Sequence, residues 1–227
     1  MAEMGIGYGS ECHLLRYLGR HRAELDKRVR EATGGQHVEW LDHPFDRSRT
    51  WSDGEWKGLD FLEVGNPARV AWPKVWPQRG NPQNWDAIGR VTVDGTKEWL
   101  LVEAKANVEE LRSSCQASEA GGRPLIIETL NALKGRLGVA AERDWLDRHY
   151  QFANRIFVLD LLLQWKVTAR LLNIYFTGDR GDERRSCPAD IPGWDQGLAS
   201  MKAHIGLPRG HVLENRMHEI FLPVCHG

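Results

Sequence analysis

Asp86, Glu103 and Lys105 stand at a spacing that could do chemistry. Between them, Asp94-Gly95 is a strong two-residue hairpin signal, because both positions of so tight a turn need positive φ. Val91 and Val93 precede the turn, and the apolar run Trp99-Leu100-Leu101-Val102 follows it. Pairing outward from Val93 opposite Thr96 sets Asp86 directly opposite Glu103. Opposed residues of an antiparallel pair share a face, with Cβ atoms about 4.5–5.5 Å apart. Lys105, two residues past Glu103, points to the same face. Like charges set opposite one another destabilise a sheet. A divalent cation between them would remove that penalty, and hard oxygen ligands suit Mg²⁺ or Mn²⁺.

An Asp followed, after a spacer, by a strand-borne Glu-x-Lys resembles the PD-(D/E)xK nuclease superfamily, the matching residues being Asp86 and Glu103-Ala104-Lys105. The family proline usually stands just before the Asp; here that place is Trp85, and the nearest proline is Pro82. The resemblance implies a restriction endonuclease-like α/β core of order αβββαβ, with a mixed central sheet flanked by helices. It also implies hydrolysis of phosphodiester bonds in a nucleic acid, DNA before RNA. Asp86 and Glu103 would bind Mg²⁺ or Mn²⁺ together with the carbonyl of Ala104, and Lys105 would steady the attacking water. Relatives often carry a Glu early in the first helix; Glu11 matches that placement better than Glu24. Double-strand cutting by one site per chain often needs a pair of chains, so a homodimer is consistent with this reading.

The motif alone is cheap. With 31 acids in the chain, acid-x-Lys triplets recur by chance, and Glu55-Trp56-Lys57 is a second one. Glu55 follows the turn-like Ser52-Asp53-Gly54, whereas Glu103 ends an apolar run of the kind a central strand needs. The bland alternative for 86–105 is a hairpin with solvent-facing charges. Agreement of register, spacing and apolar context favours the catalytic reading.

Composition narrows the class. At 227 residues, one domain over 1–227 is the default. Within it the core is expected over about 10–177, with a C-terminal extension over 178–227. A charged content of 27% places the chain among folded soluble proteins. No apolar run reaches the length of a membrane span, and the start Met-Ala-Glu-Met-Gly lacks the pattern of a signal peptide, so a cytoplasmic protein is expected. Cys12, Cys115, Cys187 and Cys225 are scattered without a C-x-x-C pair and read as reduced thiols. A net charge of −1 gives no direct argument for nucleic acid. The basic clusters at 16–22 and 180–185 read first as solvated faces. The abundant tryptophans read as core and rim packing before base stacking.

Periodicity predicts a helix over 10–31, with Ser10 as N-cap and Gly34-Gly35 as its stop. Strands are expected at 37–41 and 59–62. Prolines between Pro44 and Pro82 argue against long elements there; this part would wrap one end of the sheet. Helices follow at 107–116, 125–137 and 144–166. On the last, Gln151 and Arg155 could approach the site, but surface or packing roles come first. A strand at 169–176, a helix at 194–205 and an edge strand at 221–224 complete the order.

Two other classes compete. One is a nuclease-like fold that binds nucleic acid, or acts as a scaffold, without catalysis. The other is a different α/β enzyme, which no G-x-x-x-x-G-K-[ST] or G-x-G-x-x-G after a strand supports.

Overall fold

The structure, a computed structural model, describes residues 8–46, 52–79, 83–180, 185 and 187–225. Five strands form a mixed sheet in chain order: β1 (His37–Trp40), β2 (Ala87–Val93), β3 (Thr96–Lys105), β4 (Ala169–Thr177) and β5 (Met217–Pro223). β1, β2 and β3 run antiparallel; β4 and β5 each run parallel to the strand before. The turn between β2 and β3 falls where Asp94 (φ 48°) and Gly95 (φ 76°) allow it, and the register runs from Val93 opposite Thr96 to Ala87 opposite Val102.

Among the described residues six helices cover the sheet: α1 (Ser10–Gly19), α2 (Arg22–Thr33), α3 (Pro67–Val75), α4 (Arg123–Leu137), α5 (Tyr150–Gln164) and α6 (Pro192–Ile205). α1 and α2 pack Leu14, Leu18, Leu25 and Val29 against Leu100, Val102 and Ile174. The other face buries Trp72, Leu133, Ile156 and Trp194 against Ile88, Leu101 and Leu171. Covered on both sides, β4 is buried at every position, including the polar Arg170 and Asn173 that interrupt its apolar residues. An α/β fold with a mixed central sheet flanked by helices is therefore observed.

Several local expectations need correction. The helix expected over 10–31 is two helices broken at Arg20–His21, where Arg22 Nε donates to the carbonyl of Leu18 (2.7 Å). Its N-cap is Gly9, with no side-chain cap. Residues 59–62 turn instead of pairing, following Gly58 at φ 46°. The stretch 107–116 holds only a 3-10 turn, Val108–Leu111, capped by Asn107 Oδ1 accepting from the Glu110 N–H (3.0 Å). The helix expected from 144 starts at Tyr150, because Trp145 is pinned in the core by Nε1–H to the Ile205 carbonyl (2.9 Å) and Arg148 sits at φ 60°. Between Pro44 and Pro82, where long elements were not expected, the one helix among the described residues is the nine-residue α3, with Pro73 inside it. The elements expected at 37–41, 125–137, 169–176, 194–205 and 221–224 appear as β1, α4, β4, α6 and part of β5.

The segment beyond 177 shares the same core. β5 pairs with β4 over Leu171↔Met217 to Thr177↔Pro223. Trp194, fully buried, donates Nε1–H to the Phe176 carbonyl at 3.0 Å and packs on Tyr175. Trp194→Ala should therefore cost about 3–5 kcal/mol. Urea denaturation checks this, and a loss under about 1 kcal/mol would mean that α6 stands outside the cooperative unit.

Candidate active site

The hairpin sets the site. The Asp86 N–H donates to the carbonyl of Val102 (3.2 Å), which already pairs with Ala87, so the ladder slips by one residue there and the expected pairing of Asp86 directly opposite Glu103 is not formed. Asp86 Oδ2 accepts from the Ala104 N–H at 2.6 Å, which ties the carboxylate to the strand that carries Glu103 and Lys105. The sheet partner of Glu103 on the other side is Asn173 of β4. Alternation sends Val102 and Ala104 into the α1–α2 core, and Glu103 and Lys105 toward α5.

Charges there are tightly packed. Glu103 is 4% exposed. Its Oε1 accepts from Lys105 Nζ and its Oε2 from Arg155 Nε at 2.7 Å. Lys105 also reaches Gln151 Oε1 at 3.0 Å. Arg155, itself 3% exposed, spreads its guanidinium between Glu103, the Asn84 carbonyl and Asn154 Oδ1, and lies 4.7 Å from the Trp85 ring centroid. Trp85 is anchored by Nε1–H to the Gly58 carbonyl (2.9 Å), within the short ribbon of Trp56–Lys57 and Asn84–Trp85.

These neighbours push the carboxyls apart. Burial, and then the Glu103 charge, raise Asp86 to about 7, against the pull of Lys105, the Ala104 N–H and Arg155. Burial also disfavours the Glu103 carboxylate, but Arg155 and Lys105 outweigh it and hold that carboxyl below its ordinary value. Burial works against the Lys105 charge, yet Glu103 and Asp86 raise that group above its usual range. Two carboxyls in one small patch with opposed shifts are the pattern expected where charge is used chemically. A second buried ion cluster, Glu98 with Arg170 and Arg216, borders none of the clefts described below and reads as a strand clamp.

A cleft of about 710 Å³ opens beside Asp86, with Arg155, Gln151, Asn154, Asn84 and Gln83 in its wall. Glu11, Glu55, His43 and Asp86 line a smaller cavity on another side of Asp86. α1 is held there through the Gly9 N–H and His13 Nε2, which reach Asp179 Oδ2 at 2.8 and 3.1 Å.

Of the residues singled out in the sequence, Asp86, Glu103, Lys105 and the Ala104 backbone come together. Glu11 is exposed and borders the Asp86 cavity, whereas Glu24 lies exposed on α2. Among the described residues no three His, Cys, Asp or Glu side chains are grouped closely enough to hold a metal ion. Glu55, set aside as a chance match, shares both Asp86 cavities. Gln151 and Arg155, expected to serve surface or packing roles, contact Lys105 and Glu103 directly. Their apolar helix context hid them. The available signal was that a buried Arg on a core helix needs a carboxylate partner.

Arg16 and Arg22 of the first basic cluster bond the Cys225 and Leu18 carbonyls. In the second, 181–184 lie outside the described residues, as do Pro82 and Trp51. Trp72, Trp76, Trp85, Trp145 and Trp194 are buried, as packing residues should be. Cys12, Cys115 and Cys225 are free thiols, and no helix among the described residues is long and apolar enough to cross a membrane.

Comparison with known proteins found no matching family model, no matching curated protein and no matching solved structure.

Proposed function

We propose that this chain is a metal-dependent nuclease of PD-(D/E)xK type, with a restriction endonuclease-like core, hydrolysing phosphodiester bonds in DNA. The observation that carries the reading is the Asp86–Glu103 pair: Asp86 lines the polar cleft and accepts from the N–H of Ala104, and Glu103, the residue before Ala104, carries the Lys105 ammonium. The element order from α1 through β1–β3 and α5 to β4 is consistent with such a core.

The residues present fit a divalent cation. Burial and then the Glu103 charge lift Asp86, a hard cation beside the carboxylate would offset both, and Asp86 and Glu103, with the Ala104 carbonyl, are the groups to hold it. When bound, such an ion supplies Lewis-acid stabilisation of negative charge on the phosphoryl oxygens. The rest is done by the chain. Ala104 N–H fixes the Asp86 carboxylate. Arg155 keeps Glu103 ionised at neutral pH and fixes its orientation through Oε2. Lys105, steadied by Gln151, places a compact positive charge where an attacking water and the charge growing at phosphorus need it.

Lys105→Ala should lower cleavage about 10²–10³-fold with the fold intact, because Arg155 still pairs with Glu103. Lys105→Arg should not restore it, since a planar fork replaces a point charge. Circular dichroism and a gel assay of labelled DNA check both.

One observation favours a second reading, a nucleic-acid-binding protein without activity. Both Glu103 oxygens are already held, by Lys105 and by Arg155, so Glu103 can offer one to a metal only when a cation lets go. Calorimetric titration with Mn²⁺ at pH 8 separates the two. The nuclease reading expects binding that Asp86→Asn removes and that weakens below about pH 7, as Asp86 takes a proton. No binding heat at pH 8 would favour the second reading.

A further inference from the structure

The cleft beside Asp86 is polar but poor in cations. Among its lining residues only Arg79 and Arg155 are positive, and Arg155 is committed to Glu103 and Asn84. Phosphates are gripped by cations; neutral amides match the edges of bases. The lining here is rich in amides, and its aromatic members are Trp76 and Tyr150, stacked at an interplanar angle of 15°. At about 710 Å³ it has the size of a pocket for a small organic molecule, far too small for a duplex.

Gln83 adds an unmet demand. It lines the cleft and is 5% exposed. Its orientation follows from Arg155, which can only donate: Arg155 Nη1 donates to Asn154 Oδ1 (2.9 Å), so Gln83 must turn its NH₂ to that same oxygen (2.6 Å). Gln83 Oε1 is then left as a buried acceptor with no donor among the described residues. Such an atom is costly unless something supplies a hydrogen.

We propose that this cleft receives one unstacked nucleobase of a single strand, with Gln83 Oε1 accepting a hydrogen from an amino or imino group on its edge. The inference deepens the nuclease reading and rests on it for the class of ligand. It makes unpaired nucleotides the substrate, bound with the base beside Gln83 and the phosphodiester toward Asp86.

Fluorescence anisotropy with short labelled oligodeoxynucleotides tests it, in buffer with Ca²⁺ and without Mg²⁺ or Mn²⁺. Three probes are used: an oligo-dC strand, the same strand with abasic sites, and a blunt duplex of equal length. The dC strand should bind about tenfold tighter than either of the others. Gln83→Met, which removes the acceptor, should erase that preference and leave abasic binding unchanged. Gln116→Trp, an exposed position on the cleft wall whose amide bonds only Ser114, should do the same by filling the space without touching the core. Equal binding of dC and abasic strands, tighter binding of duplex, or a Gln116→Trp protein that keeps the preference would overturn the inference. The two readings fail separately. A preferred dC strand that is never cut with Mg²⁺ or Mn²⁺ supports the base site and removes the nuclease. Cutting of duplex with no preference for base-bearing single strands does the reverse.

Discussion

Asp86→Asn is expected to stabilise the metal-free protein at neutral pH while abolishing cleavage. The folded protein holds the Asp86 carboxyl at about 7, well above the value of about 3.9 for an unfolded chain. The folded state therefore binds the proton more tightly than the unfolded one. The resulting penalty is absent below about pH 4, grows as pH rises from about 4 to about 7, and is complete above that. Asn keeps an oxygen for the Ala104 N–H but carries no charge, so it escapes the penalty. With allowance for solvent screening at a partly exposed side chain, the gain at pH 8 should be about 1–3 kcal/mol, or about 3–8 °C in Tm. The gap between the two proteins should close near pH 4. Thermal melts in EDTA at pH 4.5, 6 and 8 measure it. A mutant no more stable than wild type at pH 8 would mean that Asp86 is already comfortable as a charge and has no need of a cation. Gains of this kind at the expense of activity are characteristic of functional positions.

Arg155→Ala should produce the largest loss of stability at the site, about 3–5 kcal/mol, because it strands a buried carboxylate. Glu103 keeps only Lys105, the Asn84 carbonyl and Asn154 lose a donor, and the face of Trp85 loses its cation. Removing both charges together in Arg155→Met/Glu103→Gln should recover most of that cost. Urea denaturation of the two single mutants and the double mutant gives the coupling directly. Additive losses, with no recovery in the double mutant, would show that Arg155 serves packing instead of charge.

What the sequence disclosed was local. Asp94-Gly95 fixed a turn and the turn fixed the register as far as Ala87 opposite Val102; at Asp86 the ladder slips, and its carboxylate is held by the Ala104 N–H instead of standing directly opposite Glu103. β4 announced itself through a mostly apolar stretch broken by Arg170 and Asn173, and α4 through a closing Gly138 in the left-handed region, φ 72°. Long-range partnerships stayed hidden. Lys105 and Gln151 are separated by 46 positions and Glu103 and Arg155 by 52, and nothing in helical spacing shows which strand residue a helix side chain will meet. Helix limits failed where tertiary contacts override periodicity. Trp145 sits in the apolar pattern of α5 but leaves the helix to bond Ile205, and Asn107 spends its side chain capping a single 3-10 turn. Glu55 was unreadable for a similar reason: its neighbours Trp56–Lys57 pair with Asn84–Trp85, a contact that only the fold creates.

The most direct measurement of hydrolytic function is single-turnover cleavage of end-labelled single-stranded DNA by excess protein with Mn²⁺ at pH 8, for wild type and Asp86→Asn side by side. The expected result is shortened product from wild type, none in EDTA, and none from Asp86→Asn despite its higher melting temperature. Wild type that leaves both this strand and the matching duplex intact with Mn²⁺, or an Asp86→Asn protein that cuts as fast as wild type, would contradict a catalytic role for the Asp86–Glu103 pair.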